Sequence, residues 1–364
     1  MTGLWVTAFP HATSTINGGG IFSTISGTPT FGTTNSRTSG SWMQLSASAA
    51  AARAGNDFAS AQNTISVSIY FKIVTSLPSA NTILLVVQGT DSINTTFSYV
   101  QSSNRFGIQL TGGTQQTISS ITPTANVWYR LDFNAVYNAN PHTVDWAIAV
   151  DGSGPVTGTQ ATVAGAASTV TGWRLGNANA LTWTWQYTDL IITNSSADHP
   201  IGGHNTSLIY PDADGTHSNT TNCIEYDDGT DVGTAYNRIN TVSAPNTAPS
   251  ATTYLRVGTA SAGKYAETTL SNMASGGTPL AVMGTIAYTS ATTTANNAGS
   301  VIIDGATERT IWGATCAYSD YSDGSTSNLF FKSAIVTVTS ISETNVNALK
   351  FRFISGDDAT PSPY

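Results

Sequence analysis

The chain has 364 residues, only 9% of them charged, and a formal net charge of −8. An average soluble domain carries about 25% charged residues, so Ser, Thr, Asn, Gly and Ala give this one a neutral, polar surface. No basic stripe is present to follow a phosphate backbone, and no apolar run approaches the roughly 18 residues of a membrane-crossing helix. Direct nucleic-acid binding and membrane insertion are therefore not expected.

The length allows two domains, each with a buried core. Charge divides unevenly: residues 1–200 hold seven Asp, no Glu and six Lys or Arg, while residues 201–364 hold ten Asp, four Glu and seven Lys or Arg. The halves thus carry −1 and −7. Met1-Thr2-Gly3-Leu4-Trp5 lacks the basic region and apolar core of a secretory signal. Folding in a cytoplasm is expected, which favours free thiols at Cys223 and Cys316 over a disulfide. Two cysteines without companion His ligands do not suggest zinc.

Residues 1–64 read as short strands and turns, with turn chemistry at Asn17–Gly20 and Gly27-Thr28-Pro29. The Ala49–Ala52 run predicts one helical turn, stopped by Gly55 and Asn56. Ile65, Val67, Ile69, Phe71 and Ile73 alternate with Ser66, Ser68, Tyr70 and Lys72, which predicts a strand with one apolar face and one face toward water. Thr82–Gln88, Phe97–Leu110 and Trp128–Tyr137 follow as strands. Val144, Trp146, Ile148 and Val150 alternate in the same way before an Asp151-Gly152 turn. Residues 153–170 read as a loop with one more strand, followed by strands at Trp173–Asn177 and Tyr187–Thr193. Ser195–Asn205, with Pro200 and paired Gly202-Gly203, is the expected boundary between domains at 1–200 and 208–364. Beyond it, Thr252–Val257, Lys264–Thr269, Leu280–Thr289, Asn328–Val338 and Leu349–Ile354 are strand candidates. Ser340-Ile341-Ser342-Glu343 has capping-box spacing and predicts a short helix to Ala348. The fold class read from this pattern is all-β, as two β-sandwich domains.

The order of the runs Trp128-Tyr129-Arg130-Leu131, Val150-Asp151-Gly152, Leu175-Gly176-Asn177 and Asp189-Leu190-Ile191-Ile192-Thr193 resembles the concanavalin A-like (laminin-G-like) jelly roll. Arg37–Leu45 looks like that family's early strand. The resemblance covers roughly residues 1–195 and implies a jelly-roll sandwich there. Tyr210-Pro211-Asp212-Ala213-Asp214-Gly215-Thr216-His217, Val346–Phe353 and Asp357–Pro361 look like a two-domain class of tailed-bacteriophage virion proteins. In that class such a jelly roll precedes a second β-domain. The chain departs from the pattern at Pro361-Ser362-Pro363-Tyr364, where the class continues for a few more strand residues.

A sandwich of this family can cleave glycans with two carboxylates flanking the bond. Relatives that do so carry a Glu-x-Asp-x-x-Glu strand, and residues 1–200 contain no Glu. An all-Asp pair drawn from Asp132, Asp145 and Asp189 is the remaining catalytic arrangement, with Asp132 and Asp145 expected to face solvent or to satisfy backbone groups. Trp183 and Trp185 share a strand face, and with Trp173 and Tyr187 they form a candidate glycan-stacking platform. The alternative is core, favoured because a sandwich needs large inward residues. Asp212-Ala213-Asp214-Gly215 has the opening of a calcium loop, but the twelfth position is Cys223 instead of Glu, so it is no EF-hand. Asp212 and Asp214 are the candidate ligands for a structural Ca2+; a turn in which they accept backbone N–H groups is the alternative. Asp227, Asp228 and Asp231 form a second acidic cluster, read as a solvated loop. His199, His204 and His217 lack ligand-like spacing.

These observations point to a bacteriophage virion structural protein: a head decoration, collar or tail appendage (minor tail protein). It is expected to be non-enzymatic and without cofactor, to self-associate, to contact capsid, neck or tail proteins, and to reside in the virion. A carbohydrate-binding adhesion module for host-surface glycans is the alternative, and a glycan hydrolase a remote one.

Overall fold

The computed structural model describes residues 3–7, 22, 24–34, 37, 41–47, 51–111, 115–118, 121–137, 142–151, 153–161, 168–177, 181–205, 209–217, 224–226, 255–257, 264–273, 275–289, 298–312, 329–336 and 341–355. The chain divides into two compact units between residues 206 and 207.

Among the described residues the first unit has fifteen strands: β1 (Gly3–Thr7), β2 (Thr24–Ser26), β3 (Thr30–Gly32), β4 (Trp42–Ala47), β5 (Ala52–Gln62), β6 (Thr64–Ile73), β7 (Thr82–Gly89), β8 (Thr95–Val100), β9 (Arg105–Leu110), β10 (Gln116–Ile118), β11 (Trp128–Val136), β12 (Thr143–Val150), β13 (Val156–Ala161), β14 (Val170–Asn177) and β15 (Trp183–Thr193). They form two antiparallel sheets. One has the order β13-β12-β11-β6-β15-β4-β3, with β1 on the second half of β15; the other runs β10-β9-β8-β7-β14-β5-β2. The alternation read from the sequence sets which side chains meet between them. Phe71 of β6 packs edge-on against Phe97 of β8 and Phe106 of β9, with ring centroids 5.5 and 5.2 Å apart. Tyr187 of β15 crosses the same gap and donates to Leu84 O at 2.9 Å. Each such ring removed from water contributes about 1.5–3 kcal/mol.

The second unit contains β16 (Pro211–Asp214), β17 (Ile224–Tyr226), β18 (Leu255–Val257), β19 (Tyr265–Leu270), β20 (Val282–Thr289), β21 (Ala298–Asp304), β22 (Thr307–Trp312), β23 (Leu329–Val336), a short helix α1 (Glu343–Asn347) and β24 (Lys350–Ser355). A five-stranded sheet runs β16-β19-β24-β21-β22, and β20 pairs with β23 over eight residues. Leu270, Ile302, Ile311, Val346 and Leu349 form its core. Gly284 of β20 lies so close to Ile311 that a Cβ there would sit 2.4 Å from Cδ1, so a larger residue would require the Ile311 side chain to shift.

The structure is all-β, with antiparallel sheets throughout the first unit, as the strand pattern implied. Four local expectations change. Ala52 opens strand β5 instead of closing a helical turn. Phe97–Leu110 is two strands, β8 and β9, joined by a turn at residues 101–104. The α1 cap is Ser342, whose Oγ accepts from Asn345 N at 3.2 Å. The polar face of β6 does not meet water: Ser66, Ser68, Tyr70 and Lys72 are 0–6% exposed.

Candidate functional site

The outer face of the eight-stranded sheet gathers most of the first unit's chemistry. In register, Ser68 of β6 stands beside Asp132 of β11, Tyr70 beside Arg130, and Lys72 beside Trp128. On the other side of β6, Thr188 of β15 pairs with Tyr70 and Gln186 with Lys72. Register then slips between Thr188 and Ile191, where Asp189 adopts φ +47°. Asp tolerates this left-handed conformation better than most residues, and the bulge re-aims its side chain.

Residues 195–205, read from sequence as the boundary between domains, pack as a strap over half of this face. Ser66 Oγ donates to Ser195 O at 2.8 Å, and Gly202 N to Asp132 Oδ1 at 3.2 Å. Asp132 Oδ2 accepts from Arg130 Nε at 2.8 Å. Arg37 Nη1 donates to Asp189 Oδ2 at 2.8 Å and to Asn205 Oδ1 at 2.7 Å, while its Nε lies 3.1 Å from Asp151 Oδ1. The Arg37 guanidinium rests 3.4 Å from the centre of the Tyr70 ring. His204 places Nε2 2.7 Å from Asp189 O and Nδ1 2.9 Å from Gly202 O. Burial pulls the Arg130 guanidinium down, but the Asp132 carboxylate and Tyr70 more than offset this and raise it overall. Burial lowers the His199 imidazole against the opposing pull of Asp132 and Asp145.

This arrangement bears directly on the all-Asp pair. Asp132 is fully buried and accepts from the backbone N–H of Gly202, the second of its two expected environments, and Asp189 is 1% exposed. Each is held by an arginine beneath the strap. Asp145 accepts from Thr159 Oγ1 at 2.5 Å on the neighbouring strand.

The other half of the face lies beyond the strap. One register row crosses five strands: Trp128, Lys72, Gln186, Gln44 and Thr30. Lys72 Nζ sits 4.7 Å from the centre of the Trp128 ring, and burial lowers its pKa. Gln186 Nε2 donates to Gln44 Oε1 at 3.0 Å. At the adjoining end of the sheet, the Val74–Ser79 loop and Thr182–Thr184 line an open depression of about 360 Å³.

The proposed stacking platform is corrected. Trp173, Trp185 and Tyr187 are fully buried and Trp183 is 3% exposed. They face inward because their positions on β14 and β15 fall on the core side, as Phe22 packing edge-on against Trp173 at 5.9 Å illustrates. Asp212 accepts from Thr269 Oγ1 at 2.7 Å, and Asp214 lies 3.7 Å from His217 Nε2. Among the described residues no cluster of three or more His, Cys, Asp or Glu is placed to hold a metal. Cys223, Cys316, Asp227, Asp228 and Asp231 lie outside the described residues.

Sequence reading missed a buried carboxylate in the second unit. Glu267 is 1% exposed and accepts from Lys350 Nζ at 2.8 Å, Arg352 Nε at 2.7 Å and Thr216 N at 3.2 Å. Burial raises its pKa, but these donors outweigh burial and hold it below the ordinary value. The signal available in sequence was a lone Glu in an otherwise uncharged strand.

No protein-family model matches the chain, and no curated protein matches it. Among solved structures, it is similar to the cellulose-induced protein Cip1 (11% identity, 47% of this chain and 86% of that one, TM-score 0.35). It is also similar to the alginate lyase vAL-1 from Chlorella virus (7%, 53% and 100%, TM-score 0.36) and to the Lotus tetragonolobus seed lectin (8%, 46% and 93%, TM-score 0.31).

Proposed function

We propose that this chain is a non-catalytic structural protein of a tailed-bacteriophage particle, a head decoration, collar or tail appendage. It is assembled in the host cytoplasm and works through contacts with other virion proteins and with copies of itself. The observation that supports this most is where the first unit keeps its charge. Arg37, Arg130 and Arg174 are tied to Asp189, Asp151, Asp132 and Asp57 by ion pairs of 2.6–3.1 Å within the unit. The exterior is left largely to Ser, Thr, Asn, Gln and Ala, a surface suited to hydrogen bonding and close packing without long charged side chains to desolvate. The strap-covered carboxylates and the inward tryptophans favour a scaffold over an enzyme. Purified particles from the producing culture are expected to contain the chain at fixed stoichiometry to the shell protein, measured by quantitative mass spectrometry. Finding it only in the particle-free lysate overturns the reading.

A further inference from the structure

His204 sits in the strap with both ring nitrogens against backbone carbonyls, which cannot donate. Nε2 lies 2.7 Å from Asp189 O and Nδ1 2.9 Å from Gly202 O, and the residue is only 8% exposed. A neutral imidazole has one N–H and one lone pair, whereas an imidazolium has two N–H groups. In the neutral form one nitrogen would turn its lone pair toward a carbonyl oxygen in a buried place. Ser68 Oγ is the other group that could donate to Nδ1, but at 3.5 Å it is farther than Gly202 O and beyond the usual hydrogen-bond range. The acceptor set selects the ring that carries both protons.

The charges around the strap agree. Asp132 and Arg130 come from β11, with Arg130 Nη1 backing onto Gly203; Asp189 comes from β15, Arg37 from the early loop and Asp151 from the end of β12. From β6 come the neutral Ser68 and Tyr70, whose ring stands edge-on to His204 with centroids 5.3 Å apart. The strap adds Asp198, with Oδ2 buried, and His199, which lies in the fields of Asp132 and Asp145 and is held toward its neutral form by burial. Arg37 and Arg130 are thus two cations against Asp132, Asp151 and Asp189. A third positive charge balances the group, and buried charge is tolerated when it is paired and hydrogen-bonded. His204 is the group placed to carry it.

We propose that His204 is the pin of a pH-gated strap: as an imidazolium it bridges Asp189 O and Gly202 O and holds residues 195–205 closed over Asp132 and Tyr70. Loss of one proton breaks one of the two bonds and leaves the buried group with excess negative charge, so the strap opens and bares Ser68, Arg130 and Asp132. The direction follows from linkage. A free imidazole gives up its second proton near pH 6.5, roughly. A proton held more tightly in the folded chain stabilises the closed strap fully below that pH, and this is lost as pH rises through the higher folded value.

The test uses the full chain labelled with nitrogen-15 at histidine. At neutral pH both ring nitrogens of His204, assigned by their loss in His204→Gln, are expected to carry protons in the NMR spectrum. Protection of the 195–205 amides from hydrogen exchange is expected to fall at least about tenfold as pH rises from about 6 to about 9, since one titrating proton gives about tenfold per pH unit. Amides of β8 and β9 should keep their protection. His204→Gln retains two amide N–H donors without a titrating proton, so its strap should exchange with no such pH dependence, whereas His199→Gln should behave as the parent. The ring spectrum of the unaltered chain keeps the test decisive if a variant fails to fold. A His204 ring with one bare nitrogen at neutral pH, strap protection that is constant across the range, or a pH dependence that survives in His204→Gln overturns the proposal.

Discussion

Arg37 and Asp189 stand 152 positions apart, yet they meet through a 2.8 Å hydrogen bond between side chains that are only 8% and 1% exposed. The pair ties an early loop to the bulge of β15, and Arg37 also reaches Asn205 at the end of the strap. A charge this deeply buried is tolerated only with its partner, so removing one member leaves an uncompensated ion.

Asp189→Asn preserves a residue that accepts a positive φ and removes the charge. It is expected to cost about 3 kcal/mol in the first unit's unfolding free energy. Arg37→Met should cost a similar amount, and the double variant less than the sum, because each single change strands the other charge. Hydrogen exchange should speed up across 195–205 in each single variant. Additive losses, or a strap protected as in the parent chain, would show that the pair does not hold the strap.

Strand periodicity made much of this arrangement legible before any coordinates. Ile65, Val67, Ile69 and Phe71 alternate and all point inward. The hairpin of β21 and β22 around Asp304-Gly305 was not among the strand candidates, although Asp-Gly between two β-rich runs is hairpin chemistry. The candidate site was less legible because period two gives the face and not what covers it. Ser68 and Asp132 fall on the expected outer face but are buried, since a segment more than 60 residues downstream of Asp132 packs over them. Trp183 and Trp185 show the opposite limit. Alternation puts two such rings on one face but does not say whether that face is core or surface, and burial decided for core.

The ion-paired carboxylates predict inactivity toward glycans. Incubation with bacterial wall polysaccharides and capsules should release no reducing ends. Asp132→Asn, Asp145→Asn and Asp189→Asn should leave that baseline unchanged. Any turnover lost in one of these variants would reinstate the all-Asp pair as catalytic.

Glu267 predicts how the second unit responds to acid. Its carboxyl is held below the ordinary value of 4.5, so the folded state binds fewer protons than the unfolded one near that pH. Its contribution is therefore present above the ordinary carboxylate value and is lost as pH falls through the lower folded value. Glu267→Gln should cost about 1–3 kcal/mol at neutral pH, because Lys350 and Arg352 lose a charged acceptor but remain partly hydrated. It should also flatten the acid limb of a melting-temperature profile. A variant with the parent's acid sensitivity would place the responsible group elsewhere.

Self-association is expected to use the first unit and to ignore salt. Its arginines are largely committed to internal ion pairs, so a contact made by its exterior has few charges to screen. Raising salt from about 0.1 M to about 1 M shortens the Debye length from roughly 10 Å to roughly 3 Å, and the oligomer measured by light scattering should persist across that range. The second half, with ten Asp and four Glu against seven Lys or Arg, repels a copy of itself at low salt and is the poorer homotypic surface. Cross-linking of the full chain should place most homotypic links within residues 22–206. An oligomer that dissociates with salt, or links concentrated in residues 207–364, would reverse the assignment of faces.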